Sequence, residues 1–117
     1  MKKVSYLFFL IFSFQSVHAQ DQLTGNWQTG KNNTVIEIRT VDNELAGFIV
    51  SSANENVTPG TQIIRNLIKK EDGYVGELYA IRTNQWVDGY FEPAGQTMRV
   101  TVSMGLMSKK LDWIQED

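Results

Sequence analysis

Short segments in which apolar and polar residues alternate are the feature that most restricts how this chain can fold. In Thr97–Met104 every second residue is apolar, and the residues between them are Thr, Arg or Ser. A segment of this kind forms a strand with one buried and one solvated face. Six further segments of similar length are predicted to be strands: Leu23–Gln28, Thr34–Val41, Glu44–Ser51, Tyr74–Ala80, Gln85–Glu92 and Lys109–Gln115.

Turn-forming clusters such as Asp42-Asn43, Asp72-Gly73 and Gly105 separate these segments. Connections this short join antiparallel neighbours and leave no room for crossover helices. The spacing therefore predicts an all-β domain, a small antiparallel meander barrel of about eight strands. The positions expected to face inward on the second and third strands are Ile36, Ile38, Leu45, Gly47 and Ile49.

The stretch from residue 51 to residue 69 departs from this pattern. Ser51–Thr61 is polar, contains a Pro-Gly pair and is expected to be a mobile loop. After it, four apolar residues between Ile63 and Ile68 follow the spacing of one helix face better than that of a strand. We expect either a short helix near residues 61–69 or a strongly bent strand.

The first nineteen residues carry the pattern of a secretory signal peptide. Lys2 and Lys3 form a positive start, an apolar run follows, and small residues stand at Val17 and Ala19, after which the cut is expected. The run is shorter than a membrane-spanning helix, and no cysteine follows it that could carry a lipid. We therefore expect residues 1–19 to be removed, residues 20–117 to form a single domain, and the protein to be periplasmic or extracellular, not a lipoprotein.

Loss of that segment would also limit the chemistry of the mature chain. It contains the one histidine, His18, and the whole chain has no cysteine. Catalysis by Ser-His or Cys-His pairs and zinc sites built on His or Cys are thereby excluded. Glycine-rich phosphate loops are absent as well. We predict no catalytic residue, no metal site and no cofactor.

The net charge narrows the range of partners. Without Lys2 and Lys3 the number of lysines and arginines falls from 11 to 9, against 13 acidic residues, which gives a charge of −4. An acidic chain without a basic cluster argues against nucleic-acid binding and against docking on an anionic membrane. We expect no nucleic-acid partner and no stable membrane insertion after cleavage of the signal peptide.

Motifs spread over nearly the whole mature chain resemble those of one bacterial secreted family. They are GNWQT (25–29), TVIEI (34–38), LAGFIV (45–50), GTQIIRNL (60–67), GYVGELY (73–79) and LDWIQ (111–115). The pattern is similar to that of the family called domain of unknown function 2147, which has no established activity. The chain departs from it at Ala80-Ile81, where the family has Asp-Pro, and at Gln115, where the family has Arg.

The Gly-x-Trp on the first strand also resembles the lipocalin-type barrels, and this implies a contact that closes one barrel end. In those barrels the indole, here that of Trp27 after Gly25, lies against a basic side chain from the last strands. Trp27 is expected near Trp113, because the first and last strands pair when a barrel closes. The candidate cations are Lys109, Lys110 and Arg99, and the cation can also be absent.

Trp86, Asp88 and Tyr90 alternate on one predicted strand and are the candidate ligand-binding residues. If their face points inward, Asp88 is a carboxylate among aromatic rings, and its pKa should be raised. If Val87 and Phe91 point inward instead, Asp88 is an ordinary surface acid. Alignment with the family favours the first orientation.

Three function hypotheses follow. We favour a non-catalytic binding protein that holds a small apolar or amphipathic ligand at the barrel mouth, in contact with the three candidate residues. The alternative is an interaction or inhibitor module that engages an envelope or extracellular protein through the loop Ser51–Thr61 or through an exposed strand edge. This alternative predicts an exposed apolar patch around Phe48 and Val50. The least favoured is a hydrolase that uses Asp88 with Glu77 or Glu92 as paired carboxylates. Whether the barrel interior is filled or hollow stays open.

Overall fold

The computed structural model describes residues 22–116, and every regular element within them is a β-strand. The strands are β1 (Gly25–Gln28), β2 (Val35–Val41), β3 (Glu44–Ser51), β4 (Gln62–Lys69), β5 (Tyr74–Ala80), β6 (Gln85–Ala94), β7 (Thr97–Met104) and β8 (Met107–Glu116). The predicted signal peptide, residues 1–19, lies outside the described residues.

The eight strands form one closed barrel in which each strand pairs antiparallel with the next. The barrel closes where β8 pairs with β1, with Trp27 opposite Gln115 and Gln28 opposite Ile114. Closure removes the free sheet edges that an open meander would expose. The predicted fold, a small antiparallel meander barrel of eight strands, is confirmed.

The alternating strand directions give the barrel two ends, which we call the tip end and the terminal end. The tip end carries the connections 29–34, 52–61, 81–84 and 105–106. The terminal end carries the turns 42–43, 70–73 and 95–96, together with the start of β1 and the end of β8. At the tip end the loop after β3 folds back on the barrel, because the Ala53 N–H donates to the Asn32 carbonyl at 2.8 Å and Val57 packs against the core.

β4 occupies the segment for which a helix or a bent strand was expected. Between the pairs Arg65–Glu77 and Ile68–Val75, β4 has one residue more than β5. The extra residue is Asn66, whose φ of 58° marks a β-bulge. The bulge puts apolar residues three apart on the same inward side, a spacing that imitates a helical repeat. The segment is therefore a bent strand, and the helix near residues 61–69 is wrong.

Large side chains from all eight strands fill the interior. One buried cluster contains Leu23, Trp27, Ile36, Ile38, Ile49, Ile63, Ile64, Tyr74, Val87, Phe91, Met98, Val100, Val102 and Trp113. Eight strands enclose a space that side chains of this size can occupy completely. The inward orientation predicted for Ile36, Ile38 and Ile49 is confirmed, and Leu45 packs against the cluster. The interior is a packed core.

Trp27 and Trp113 both belong to this core. The Trp27 indole N–H donates to the carbonyl oxygen of Leu23 at 2.8 Å, which ties the chain before β1 to the barrel. The Trp113 ring lies 6.2 Å from that of Phe91, at an angle of 60° between their planes. The two indoles thus belong to one apolar cluster next to the seam between β1 and β8.

The basic side chains proposed to lie against Trp27 are placed elsewhere. Arg99 pairs with Asp112 on the outer wall, at 3.4 Å between Nε and Oδ1. Lys109 and Lys110 are exposed. The cation–ring contacts described for residues 22–116 involve Arg39, Arg65 and Lys69 on other rings. Trp27 is therefore held by apolar packing and its hydrogen bond.

Candidate binding surface on the outer wall

The orientation of β6 decides where the candidate binding residues lie. Val87 and Phe91 are buried inside the barrel, whereas Asp88 is exposed and Trp86 and Tyr90 are half-buried on the outer side. The inward orientation favoured for the Trp86 face is wrong, and the alternative with Val87 and Phe91 inward is correct. The inward face carries Gly89 between those two residues, so each face has two large apolar side chains and the pattern alone does not distinguish them.

On the outer wall Trp86 lies in a cluster with one cation and one further aromatic ring. The Arg65 guanidinium stacks over the indole, with its Cζ atom 3.9 Å from the ring centroid. The Tyr79 ring meets the indole edge-on, at 5.2 Å between centroids and 62° between planes. The Tyr79 hydroxyl donates to the Asn84 amide oxygen at 3.2 Å. These contacts fix the Trp86 ring on the outer wall next to the tip end.

Glu77 is fixed by the bulge in β4. Arg65 Nε donates to its carboxylate at 2.8 Å, and the Asn66 amide donates to the same oxygen at 2.9 Å. The left-handed backbone at Asn66 turns this amide toward β5. The hydrogen bond from Arg65 lowers the pKa of Glu77, and the bond from Asn66 and the charge of Arg65 lower it further, against a smaller opposing effect of desolvation. Glu77 is therefore ionised at neutral pH.

Replacing Arg65 with methionine is expected to raise the pKa of Glu77 toward its ordinary value. In the wild-type protein the folded-state pKa lies below the unfolded one, so the stabilising contribution of Glu77 is complete above about pH 4.5. That contribution is lost as the pH falls through the lowered pKa. Carboxyl carbon shifts recorded by NMR against pH measure the midpoint directly. Arg39→Met, which removes the cation from the separate pair with Glu37, is the matched control and should leave the Glu77 midpoint in place.

An open depression of about 580 Å³ lies on the outer wall across β5, β6 and β7. Its lining residues are Asn66, Val75, Gly76, Glu77, Asp88, Gly89, Tyr90, Thr101 and Ser103. Gly76 and Gly89 lie opposite each other in the ladder, and so do Glu77 and Asp88. Both glycines are inward positions of their strands, since a Cβ atom would meet the Leu67 side chain at Gly76 and the Phe91 ring at Gly89. Their backbone lines the floor of the depression between the outward side chains.

The chemistry of the depression is mixed. Tyr90 and Val75 supply apolar surface, Thr101 and Ser103 supply hydroxyls, and Asp88 supplies a carboxylate. Desolvation raises the pKa of the Tyr90 phenol, and the charges of three acidic residues near the terminal end raise it further. Tyr90 therefore stays neutral and can donate its phenolic hydrogen. The wall can hold a molecule with one apolar part and one hydrogen-donating part.

A second open depression, of about 360 Å³, lies between β3 and β4. Phe48 belongs to its lining, but the Arg39 guanidinium covers the ring with its Cζ atom 4.0 Å from the centroid. Val50 is exposed on the same strand, separated from Phe48 by the buried Ile49. The expected apolar patch around Phe48 and Val50 is thus partly shielded by a charged side chain.

Neither a group of metal-binding side chains nor a membrane-spanning helix is found in the part of the chain that the structure describes. Among residues 22–116 no three side chains of Asp, Glu, His or Cys are grouped to hold a metal ion. The same residues contain no helix with the length and apolar character needed to cross a bilayer.

None of the protein-family models, curated proteins or solved structures compared with this chain matches it. The resemblance to domain of unknown function 2147 therefore stays a prediction.

The sequence identified Trp86, Asp88 and Tyr90 as one set, and the structure places all three on one face of β6. The sequence did not identify their neighbours, which are Arg65, Asn66, Thr101 and Ser103. Thr101 and Ser103 stand on the polar side of the clearest alternating strand, opposite Tyr90 and Asp88, so the register of one hairpin would have located them. The positions of the Arg65 and Asn66 side chains depend on the bulge in β4. A left-handed asparagine produces no alternation in the sequence by which the bulge could be located.

Proposed function

We propose that this protein is a non-catalytic binding protein that holds a small amphipathic molecule on its outer wall, in the depression across β5, β6 and β7. The observation that carries the proposal is the placement of Asp88 and Tyr90 in one concavity with two opposed glycines at its floor. The barrel mouth is less suited to a ligand, because the core is packed and the loop with Val57 covers part of the tip end.

The side chains of the depression favour a ligand with a positive or hydrogen-donating head. Glu77 is already neutralised by Arg65 at 2.8 Å, whereas Asp88 is exposed and no described ion pair involves it. Thr101 and Ser103 add hydroxyl oxygens on the next strand. An ammonium group near Asp88 with a short apolar chain along Tyr90 would satisfy both parts of the wall.

We propose a non-catalytic role because the pKa of Glu77, one of the two carboxylates on this wall, is lowered. Glycosidase-type hydrolysis needs one carboxylic acid that is protonated near neutral pH. Glu77 is held ionised by Arg65 and Asn66, and Asp88 stands exposed beside it. Export to the periplasm or the extracellular space, as the predicted signal peptide implies, belongs to the same proposal.

Titration of the isotope-labelled protein with hexylammonium, hexanol and hexanoate tests this proposal by NMR. Hexylammonium is expected to bind most tightly and hexanoate most weakly, because Asp88 attracts the first and repels the second. The largest amide shifts are expected at Gly76, Gly89 and Ser103. Asp88→Asn should weaken hexylammonium binding about fivefold, which is the upper range for an exposed ion pair, and leave hexanol unchanged.

Asp112→Asn is the matched control, because Asp112 is also an exposed carboxylate on the outer wall but lies on β8. It should leave all three affinities unchanged. Shifts centred on interior residues such as Ile38 would place the ligand inside the barrel and contradict the proposal. Equal affinity for the three probes, or a similar loss in both variants, would contradict the role of Asp88.

Interaction with an envelope protein through the loop 52–61 is the alternative proposal. That loop is ordered by its own polar groups, since the Ser52 hydroxyl accepts from Asn54 N–H and the Asn54 side chain accepts from Asn56 N–H. A preformed polar loop can bind a partner without a large ordering cost. The depression carries the stronger case, because it combines concavity with apolar surface.

A further inference from the structure

The two most exposed apolar side chains of the described barrel, those of Leu106 and Met107, lie at one turn next to the exposed Met104. Met104 ends β7, Leu106 stands in the turn, and Met107 begins β8. Leu106 is fully exposed, Met107 is 75% exposed and Met104 is 44% exposed. None of the three belongs to the buried core. Their apolar character therefore contributes little to folding and calls for a contact outside the barrel.

The backbone holds the turn formed by residues 104–107, which we call the apolar tip, in a fixed position. Met104 lies opposite Met107, and Ser103 lies opposite Ser108, so the ladder runs to the last residues before the turn. Gly105 has φ of 61°, as the first central residue of a two-residue hairpin turn of type II′ requires. Leu106 thus projects from a short, well-paired hairpin.

Positive charge accompanies the tip although the chain as a whole is acidic. Lys109 and Lys110 follow Met107 on β8 and are exposed. The connections at the tip end add Lys31 and Arg82, against Glu55 in the loop 52–61 and Asp88 on the wall. The terminal end carries the opposite balance, with the acidic residues Asp42, Glu44, Glu71, Asp72, Glu92, Asp112 and Glu116 against Arg39, Lys69, Lys70 and Arg99. The negative net charge of the chain thus results from the terminal end, whereas the tip end is positively charged.

We propose that the tip end docks on the surface of an anionic lipid bilayer, with Leu106 and Met107 entering the headgroup region and Lys109 and Lys110 facing the lipid phosphates. This is peripheral contact by one turn and does not involve spanning strands. Apolar side chains with lysines behind them are the combination that binds anionic interfaces. Trp86 and Tyr79 stand near the same end of the outer wall, where amphipathic rings suit the headgroup level.

The shape of the tip favours lipid over a protein partner. A stable protein complex buries about 800 Å² on each side, usually on flat or concave surfaces. A two-residue turn with three apolar side chains is narrow and convex, so it offers far less area than that. A bilayer can surround single projecting side chains, and the acidic terminal end would then point away from the anionic surface.

Vesicle flotation tests the inference, using the processed protein purified after export from cells that express the full chain. Vesicles of phosphatidylcholine with phosphatidylglycerol are compared with vesicles of phosphatidylcholine alone. We expect binding that is about tenfold stronger with the anionic lipid and that weakens as salt is added. The double variant Leu106→Ser, Met107→Ser should lose about tenfold of this binding, and so should Lys109→Glu, Lys110→Glu.

Ile114→Ser is the matched control, because Ile114 is 57% exposed but lies on the wall of β8 away from the tip. It should bind vesicles like the wild-type protein. Thermal unfolding of each variant checks that the barrel is intact, and the fully exposed position of Leu106 predicts unchanged stability. Equal binding by wild type and both tip variants overturns the inference. So does a tip variant that binds vesicles normally but loses self-association or a co-purifying protein, which would assign the tip to a protein partner.

Discussion

Replacing Trp27 with alanine is expected to lower the free energy of unfolding by about 3–5 kcal/mol. The indole is fully buried where β1 meets β8, so its removal leaves a large cavity beside the strand pair that closes the barrel. A domain of this size has a total stability of about 5–15 kcal/mol, so the variant should lose a large fraction of it. Urea denaturation followed by circular dichroism measures the loss.

The comparison of Trp27→Phe with Trp113→Phe separates the hydrogen bond from the packing. Trp27→Phe removes the donor to the Leu23 carbonyl, which then stays buried without its partner. Trp113 Nε1 is buried as well, but no hydrogen-bond acceptor among the described residues lies within reach of it. An unsatisfied buried polar group costs about 1–3 kcal/mol, so Trp27→Phe should lose that much more stability than Trp113→Phe. Equal losses in the two variants would contradict this account of the Trp27 hydrogen bond.

The strand pattern and the closure of the barrel could be predicted because each depends on local signals. Met98, Val100 and Val102 alternate with polar residues, and all three are buried. The short turns then permit few arrangements other than a meander, and a meander of eight strands closes when β1 pairs with β8. These features depend on side-chain periodicity and turn length, which can be read from one sequence.

The bulge in β4 could not be predicted, because one extra residue changes the apparent period of the whole segment. Asn66 takes a left-handed conformation and leaves apolar residues three apart on the inward side. This spacing is shared by helices and bulged strands, and the choice between them depends on the pairing with β5. The Arg65–Glu77 contact depends on the same pairing of β4 with β5. The polar part of the candidate surface therefore could not be predicted from the sequence either.

The orientation of β6 could not be decided from its residues, because both faces carry aromatic side chains. Trp86 and Tyr90 on one face are as large as Phe91 on the other, and Gly89 weakens the apolar signal of the inward face. What decides the orientation is the opposite strand, where Tyr74 is buried against Phe91. The three candidate residues were therefore identified as a set, but whether they face the core or the solvent depended on the neighbouring strand.

Gly73 belongs to the turn between β4 and β5, and its replacement with alanine is expected to be the second most damaging of these changes. A Cβ atom at this buried position would lie directly against the carbonyl oxygen of Phe91 and within 3.3 Å of Glu92 Cγ. The opposing atom is backbone, so it cannot move aside without shifting β6. The Gly73 carbonyl also accepts from Lys70 N–H at 2.7 Å, which ties the turn together.

Overpacking against backbone typically costs about 1–3 kcal/mol, and we expect Gly73→Ala to lie in the upper part of that range. Asp72→Ala is the matched control, because Asp72 is the exposed neighbour in the same turn and such surface changes stay within about 0.5 kcal/mol. Urea denaturation of both variants measures the difference. Amide exchange at Phe91 and Tyr74 should accelerate in the Gly73 variant alone, because the strain falls on the β5–β6 pair. A loss below about 0.5 kcal/mol would mean that the turn relaxes around the added methyl group.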